Sequence, residues 1–221
     1  MNPLLNAIVK DDRTLVRTLL SADPGLATTL IRSPTLHETG IHHWIYAGDT
    51  ALHLAAAGYR VDCVRSLLKA GADPNAAGNH RRSGPLHYAA DGAPDGPAWD
   101  PRKQVATLRS LLDHGAHLHL QDANGATALH RAVRTRCAAA VRFLLEAGGD
   151  PERSNHSGST PFHLAVQNTG RGGSGSEAAV TAQKEIIEAF LARGVSPDLC
   201  GGSGKSVRAS ARSPWILELL S

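Results

Sequence analysis

The sequence of 221 residues contains twelve histidines, the residue type that most often binds metals and transfers protons near neutral pH. Four of them recur at intervals of 34, 43 and 33 residues, namely His53, His87, His130 and His163. This regular recurrence favours a structural role, in which each ring forms hydrogen bonds between neighbouring units of the chain. Three others, His114, His117 and His119, lie close together, but no acid or thiol accompanies them at ligand spacing. We therefore predict neither a metal site nor a cofactor.

A second group of residues has the chemistry needed to bind an anion. Arg134 and Arg136 lie in one short turn, and Arg171 lies in a glycine-rich run just before a helix that is predicted to begin near Glu177. Forked guanidinium donors and backbone N–H groups ahead of a helix suit a carboxylate or a phosphate. The predicted pocket consists of Asp95, Trp99, Asp100, Arg134, Arg136, Arg171 and Ser174, with Cys137 and Asn168 as further lining residues. The alternative is a flexible glycine-rich loop, solvated arginines and a small apolar role for Cys137.

Two segments resemble enzyme motifs only in part. Residues 201–206 (GGSGKS) end like a phosphate-binding loop, but Leu199 stands where that motif requires its first glycine. Residues 173–176 (GSGS) lack the spacing and the strand–turn–helix setting of a nucleophile elbow. We expect that the protein is not an enzyme, and catalysis with Asp95 or Asp100 as acid–base group stays an open alternative.

The four recurring histidines belong to a longer repeated pattern that predicts pairs of helices. The similar segments are 49–56, 84–90, 127–133 and 160–166, and each is followed by an apolar stretch that ends at Gly71, Gly115, Gly148 or Gly194. Thr50, Thr127 and Thr160 are predicted N-caps, and Pro85 and Pro161 suit the first helical position. The glycines suit a left-handed residue that ends the second helix. Because no such pair can bury its own apolar face, the pairs are expected to stack.

This pattern, T-P-L-H-x-A at a period near 33 with A-G-A-D-P-N linkers, resembles the ankyrin repeat. The resemblance implies an all-α solenoid of stacked helix–turn–helix units joined by extended fingers. It divides a single domain, 1–221, into a degenerate N-terminal unit (3–35), a long first finger (36–48), full repeats at 49–76, 77–120 (insertion 91–103), 121–153 and 154–200 (insertion 168–180), and a C-terminal cap (201–221). Both insertions fall between the paired helices of a unit, so they are expected on the edge opposite the fingers.

The long first finger is the best candidate contact element for a partner. It contains the aromatic and branched side chains that dominate interface energetics, and the predicted contact residues are Ile41, His42, His43, Trp44 and Tyr46, with Ile45 beside them. The alternative is that this apolar finger folds back and covers the imperfect N-terminal unit.

Composition limits the remaining functions. Three widely spaced cysteines favour a reducing compartment, and the chain has neither a signal peptide nor an apolar run long enough to span a membrane, so we expect a soluble cytoplasmic monomer. The net charge of +3 is small, and charges alternating in sign along the helices argue against nucleic-acid binding. The resemblance implies a protein–protein interaction module, or scaffold, that binds a macromolecule through its fingers and concave face. An anionic small ligand in the predicted pocket is the alternative partner.

Overall fold

The computed structural model describes residues 2–37, 41, 43–92, 94, 99–167 and 176–221. Within these residues the chain is mostly helical. The helices are α1 (Pro3–Val9), α2 (Arg13–Ala22), α3 (Ala51–Ala57), α4 (Val61–Lys69), α5 (Pro85–Ala90), α6 (Pro101–Asp113), α7 (Ala128–Arg134), α8 (Ala138–Glu146), α9 (Pro161–Ala165), α10 (Glu177–Ala192), α11 (Val207–Ser210) and α12 (Pro214–Leu219). A 3₁₀ helix covers Pro24–Thr28, and two short strands, β1 (Thr35–His37) and β2 (His43–Ile45), pair antiparallel.

The helices are arranged in two layers. In the inner layer each first helix packs against the next, in the order α1, α3, α5, α7, α9 and α11. In the outer layer the second helices α2, α4, α6, α8 and α10 follow one another in the same way. One continuous apolar core lies between the layers and includes Leu52, Leu67, Leu108, Leu129 and Leu144. The predicted all-α solenoid is therefore confirmed, and β1 and β2 add a small hairpin in the first finger.

The helix boundaries follow the predicted capping chemistry. Thr50, Thr127 and Thr160 are the N-cap residues of α3, α7 and α9, the Thr160 hydroxyl accepts the His163 N–H, and Pro85 and Pro161 are the first residues of α5 and α9. The glycines that follow the second helices have φ angles of +93° (Gly71), +86° (Gly115), +93° (Gly148) and +75° (Gly194). These angles lie in the left-handed region, which a glycine adopts without steric cost.

The recurring histidines join each unit to the next, as predicted. Backbone N–H groups of Thr50, Gly84 and Thr127 donate to Nδ1 of His53, His87 and His130, and the Thr160 hydroxyl lies 2.8 Å from Nδ1 of His163. The opposite ring nitrogen, Nε2, lies 3.0–3.2 Å from a backbone carbonyl oxygen of the following unit, on Ser83, Ala126, Ser159 or Lys205. For His53, His87 and His130, whose Nδ1 accepts a backbone N–H, this arrangement requires a neutral ring with its proton on Nε2.

The first finger folds back on its own repeats. Ile41 and Ile45 are 2% and 1% exposed, and β2 packs against α3. Ile41 reaches the turn between α3 and α4, where a Cβ atom added to Gly58 would lie 2.7 Å from Ile41 Cδ1. The finger thus folds back, as the alternative expected, but the contacts of its apolar residues are with the first full repeat, 49–76.

Candidate functional site

The hairpin exposes one aromatic side chain while burying its neighbours. Alternate residues of a strand point to opposite faces, so Ile45 enters the core and Trp44 points away from it. The Trp44 side chain is 49% exposed. On the other side of Trp44, the His43 ring packs on Tyr88, with ring centroids 4.7 Å apart. Trp44 is therefore an exposed aromatic residue on an anchored strand.

Tyr46 continues this aromatic surface and is held in place by three neighbours. Arg81 donates a hydrogen bond of 2.9 Å to the Tyr46 hydroxyl and places its guanidinium 5.3 Å from the ring centroid. His80 contacts the same ring edge-on at 4.9 Å, and the Tyr46 backbone N–H donates to the buried Asp49 carboxylate. Of the predicted contact residues, Trp44 is thus exposed, His43 and Tyr46 are half-buried, and Ile41 faces the core.

Beneath this surface lies a buried ion network that the sequence did not reveal. Arg131 is only 2% exposed, and its guanidinium donates to the Asp91 and Asp122 carboxylates at 2.6 and 2.8 Å and to the Ser83 hydroxyl at 2.6 Å. A signal for it was present, because Arg131 occupies the position after the repeat histidine that Leu54 and Leu164 occupy elsewhere. A charge at a core position of a repeat indicates a buried partner.

Asp91 connects the network to the hairpin. Its carboxylate lies 3.4 Å from Nε2 of His43 and 3.5 Å from the guanidinium of Arg134. Burial raises the pKa of Asp91, but the hydrogen bond with His43 and the charge of Arg131 outweigh it, so the pKa falls to about 2. Asp91 is therefore ionised at neutral pH and binds the hairpin to α7 electrostatically.

The predicted anion pocket is in part a real groove on the outer side. Trp99, Arg134 and Arg136 line it together with the first turns of α10, and its cavity volume is about 730 Å³. Trp99 is half-buried and donates a hydrogen bond of 3.1 Å from Nε1 to Gln104. His42, Asp95, Asn168, Arg171 and Ser174 lie outside the described residues.

The polar groups around this groove have partners within the protein. Asp100 caps α6 by accepting the N–H groups of Arg102 and Lys103. The Arg136 guanidinium donates to the carbonyl oxygens of Leu164, Ala165 and Gln167, at the end of α9. These contacts stabilise helix termini.

Two further features of the groove disfavour anion chemistry. Ser176 caps α10 with its own side chain, and Glu177 adds a negative charge to the first turn of that helix. Cys137 is fully buried, and burial raises the pKa of its thiol, which fits the small apolar role at a helix start rather than a reactive thiolate.

The structure also bears on the glycine-rich segment 201–206, on metal sites and on membrane helices. In residues 201–206 the N–H groups of Gly201, Gly202 and Gly204 donate to backbone carbonyls, so this segment is a turn before α11. Within the described parts of the chain, no three His, Cys, Asp or Glu side chains are grouped closely enough to hold a metal ion. In the same parts, no helix has the length and apolarity required to cross a membrane.

Comparisons with known proteins agree with this architecture. The family model described as "Ankyrin repeats (3 copies)" matches residues 100–199, and the model described as "Ankyrin repeat" matches residues 47–79. An ankyrin repeat domain from Acinetobacter baumannii AYE superposes with a TM-score of 0.68 at 26% identity, covering 99% of this chain and 95% of that one.

Similar sequences occur in larger proteins. B-cell lymphoma 3 protein homolog of Mus musculus is 31% identical over 78% of this chain and 34% of its own length. Ankyrin repeat and SOCS box protein 6 of Homo sapiens is 30% identical over 68% of this chain and 36% of its own length. The chain thus spans about a third of the length of these curated relatives. The repeat models, the stacked helix pairs and the matching solved domain together establish that the chain belongs to the ankyrin-repeat family.

Proposed function

We propose that the protein is a protein-binding module whose principal contact surface is formed by the hairpin and the adjacent finger. The contact residues are Trp44, Tyr46 and His43, with His80 and Arg81 beside them and Ile41 as the buried anchor, and His42 is included on the sequence alone. The observation that carries this proposal is the half-exposed Trp44 on a strand whose neighbouring residues are fixed in the core. The single domain spanning 1–221 and its division into repeats are part of the same proposal.

The rigidity of this surface supports binding. Large aromatic residues and arginines supply most of the free energy in protein interfaces, and binding is weakened when such side chains must first be ordered. Here Tyr46 is already held by Arg81 and His80, and the strand carrying Trp44 is already fixed by Ile45. This side of the protein would therefore lose little conformational entropy when a partner binds.

The proposal is tested by measuring partner binding for two alanine variants. Wild type, Trp44→Ala and Leu15→Ala would be used to capture proteins from a lysate, and each captured protein would then be purified and titrated. Leu15 is a suitable control because it is 41% exposed, but on α2 in the outer layer. We expect Trp44→Ala to weaken binding by about thirtyfold, the size of an interface hot spot, and Leu15→Ala to leave the Kd unchanged.

Two results would contradict this proposal. If Trp44→Ala binds every partner as tightly as wild type, the hairpin is not the contact surface. If it binds weakly and also loses thermal stability, Trp44 acts on the fold rather than on the partner. Circular dichroism melting of each variant distinguishes this second outcome.

The anionic-ligand alternative has less support from the side chains. Arg134 contacts Asp91, and Arg136 caps α9, so neither guanidinium faces the groove without a partner. The ordered Trp99 is the feature that favours this alternative. The proposal also includes a reducing compartment such as the cytoplasm, because Cys63, Cys137 and Cys200 are free thiols.

A further inference from the structure

The outer layer has a strongly basic half. Helices α2, α4 and α6 together contain seven basic residues, Arg13, Arg17, Arg65, Lys69, Arg102, Lys103 and Arg109, but only two acids, Asp62 and Asp113. The next two outer helices, α8 and α10, contain four acids against two basic residues. The expectation that charges alternate in sign along the helices is therefore wrong for this layer, because stacking brings the basic residues of three separate units to one side. We call these seven residues the outer basic face.

Most cations of this face have no acid partner among the described residues. Asp62 forms ion pairs with Arg13 at 2.7 Å and with Arg65 at 3.7 Å. For the other five residues of the face no ion pair to a described carboxylate is present. Arg109 instead lies over the Phe143 ring, 4.9 Å from its centroid. Uncompensated cations this close together repel one another, so an incoming anionic group is favoured electrostatically.

Two grooves with apolar patches run between these cations. The groove between α2 and α4 has a volume of about 750 Å³, and its apolar patch consists of Leu20, Pro24 and Ala70. The rest of its lining is polar or charged and includes Arg17, Lys69 and the acid Asp62, whose charge is offset by its ion pairs with Arg13 and Arg65. The second groove, of about 420 Å³, lies between α4, α6 and α8 and is lined mainly by apolar groups such as Val105 and Ala139. Arg65 borders both grooves.

We propose that the outer basic face is a second docking surface, which binds an acidic segment of a partner protein with apolar side chains between its acids. The cations select the negative charge, and the grooves accept the apolar side chains that a peptide provides. Nucleic acid fits less well, because its phosphates would use the cations but leave the apolar patches of both grooves uncovered. This surface lies on the outer layer, away from the hairpin of the inner layer, so it goes beyond the proposed function.

The test uses defined probes and a charge-matched control. Fluorescence anisotropy would measure binding of the full chain to a labelled peptide of repeating Glu-Glu-Leu, to the Gln-Gln-Leu peptide and to a DNA duplex. The test variant is Arg17→Glu with Lys69→Glu, both exposed residues beside the first groove. The control variant is Arg212→Glu with Lys205→Glu, which makes the same charge change at exposed residues near the C-terminus.

We expect the acidic peptide to bind and the glutamine peptide not to bind. The test variant should weaken binding by about a hundredfold and the control by less than about threefold, with the affinity falling as salt is raised. Trp44→Ala should leave the peptide affinity unchanged, so that failure here is distinct from failure of the hairpin surface.

Three outcomes would overturn the inference. The first is that wild type does not bind the acidic peptide. The second is an equal loss in both variants, which would show a response to net charge alone. The third is tighter binding of DNA, lost only in the test variant, which would assign the face to nucleic acid.

Discussion

Arg131 is the charged side chain whose removal should cost the fold most. It is the largest of the fully buried side chains of the described residues, and its guanidinium forms ion pairs with the carboxylates of both Asp91 and Asp122. We expect Arg131→Met to lower the free energy of unfolding by about 3–5 kcal/mol, because two buried carboxylates then lose their counter-charge. Urea denaturation at neutral pH measures this change.

The same substitution at Arg134 is the matched control. Arg134 also contacts Asp91, but its side chain is 56% exposed, so Arg134→Met should cost about 0–1 kcal/mol. Equal losses for the two variants would show that the network is hydrated rather than buried.

The buried histidines should make stability fall in mild acid. Burial lowers the pKa of His87 to about 4, with the charge of Arg131 acting in the same direction, and burial also lowers the pKa of His53 and His130. Between pH 6.5 and 4 the unfolded chain therefore binds more protons, and stability present above pH 6.5 is lost as the pH falls. His87 alone should account for about 2 kcal/mol between pH 7.5 and 5.

Urea denaturation across this pH range checks the prediction. The buried carboxylates of Asp91 and Asp122 do not contribute to the change in unfolding free energy over this pH range. The pKa of Asp91 is about 2 and that of Asp122 is also lowered, so both titrate at lower pH. His87→Gln should flatten the curve above pH 5. A curve that stays flat between pH 7.5 and 5 in wild type would contradict the proposed neutral, Nε2-protonated rings.

At the scale of single residues, the sequence predicted the structural roles of residues that recur in every full repeat. It missed the role of a residue that occurs in one repeat only. His53, His87, His130 and His163 could be assigned because four copies share one setting. Arg131 could not, because its partners Asp91 and Asp122 lie 40 and 9 residues away, and only the stacking of units brings them together. Asp100 was expected to line the pocket, but it stands one residue before a helix that begins with proline, where it serves as an N-cap.

The packing of the hairpin against the repeats can be tested with a substitution that adds a single methyl group. A Cβ atom at Gly58 would lie 2.7 Å from Ile41, whereas a Cβ at Gly78 meets no atom closer than 3.4 Å. We expect Gly58→Ala to destabilise the protein by about 1–3 kcal/mol through overpacking, and Gly78→Ala to change stability by about 0.5 kcal/mol or less.

Thermal melting measures both variants, and a second substitution identifies the cause. Ile41→Ala removes both Cδ1 and Cγ1, the two atoms that a Cβ at Gly58 would crowd, so the double variant should be more stable than the sum of the single effects predicts. Strict additivity would show that Ile41 does not pack on this turn in solution.

At the level of elements, the local sequence predicted where the helices begin, whereas the hairpin depends on tertiary packing. The starts of α3, α7 and α9 follow from a threonine and the residues after it, and α10 begins at Glu177 as expected. The hairpin was not predicted as paired strands, because the burial of Ile41 and Ile45 against the first full repeat is a tertiary contact that the local sequence pattern does not show.

Across the described residues, the main helix contacts join each unit to its neighbours, so local damage should stay local at the ends of the stack. Ile216 is fully buried in α12, and α11 packs on α9. We expect Ile216→Ala to speed amide hydrogen exchange in residues 200–221 while exchange in α3 and α5 is unchanged. Leu129→Ala, in the central unit, should speed exchange on both sides. Uniform acceleration by Ile216→Ala would show one cooperative block instead.

The outer basic face shows what only the whole molecule reveals. Each of α2, α4 and α6 has an unremarkable charge pattern by itself, and the excess of cations emerges when the three helices lie side by side. The fold class and the repeat positions could be predicted from the sequence, since they depend on periodic residues. The surfaces proposed here for binding depend on which units are neighbours and which side chains the hairpin covers.

The repeat histidines also give the stack a direction. Each ring pairs through Nδ1 with the start of its own helix and through Nε2 with a main-chain oxygen of the following unit, ending at Lys205 before α11. These four junctions thus share the same hydrogen bonds, whatever the surrounding side chains. A copy of residues 121–153 inserted after residue 153 would present a main-chain acceptor oxygen to the histidine of the unit before it. Its own histidine would donate to the unit after it. The chain is therefore extendable by whole units in its interior.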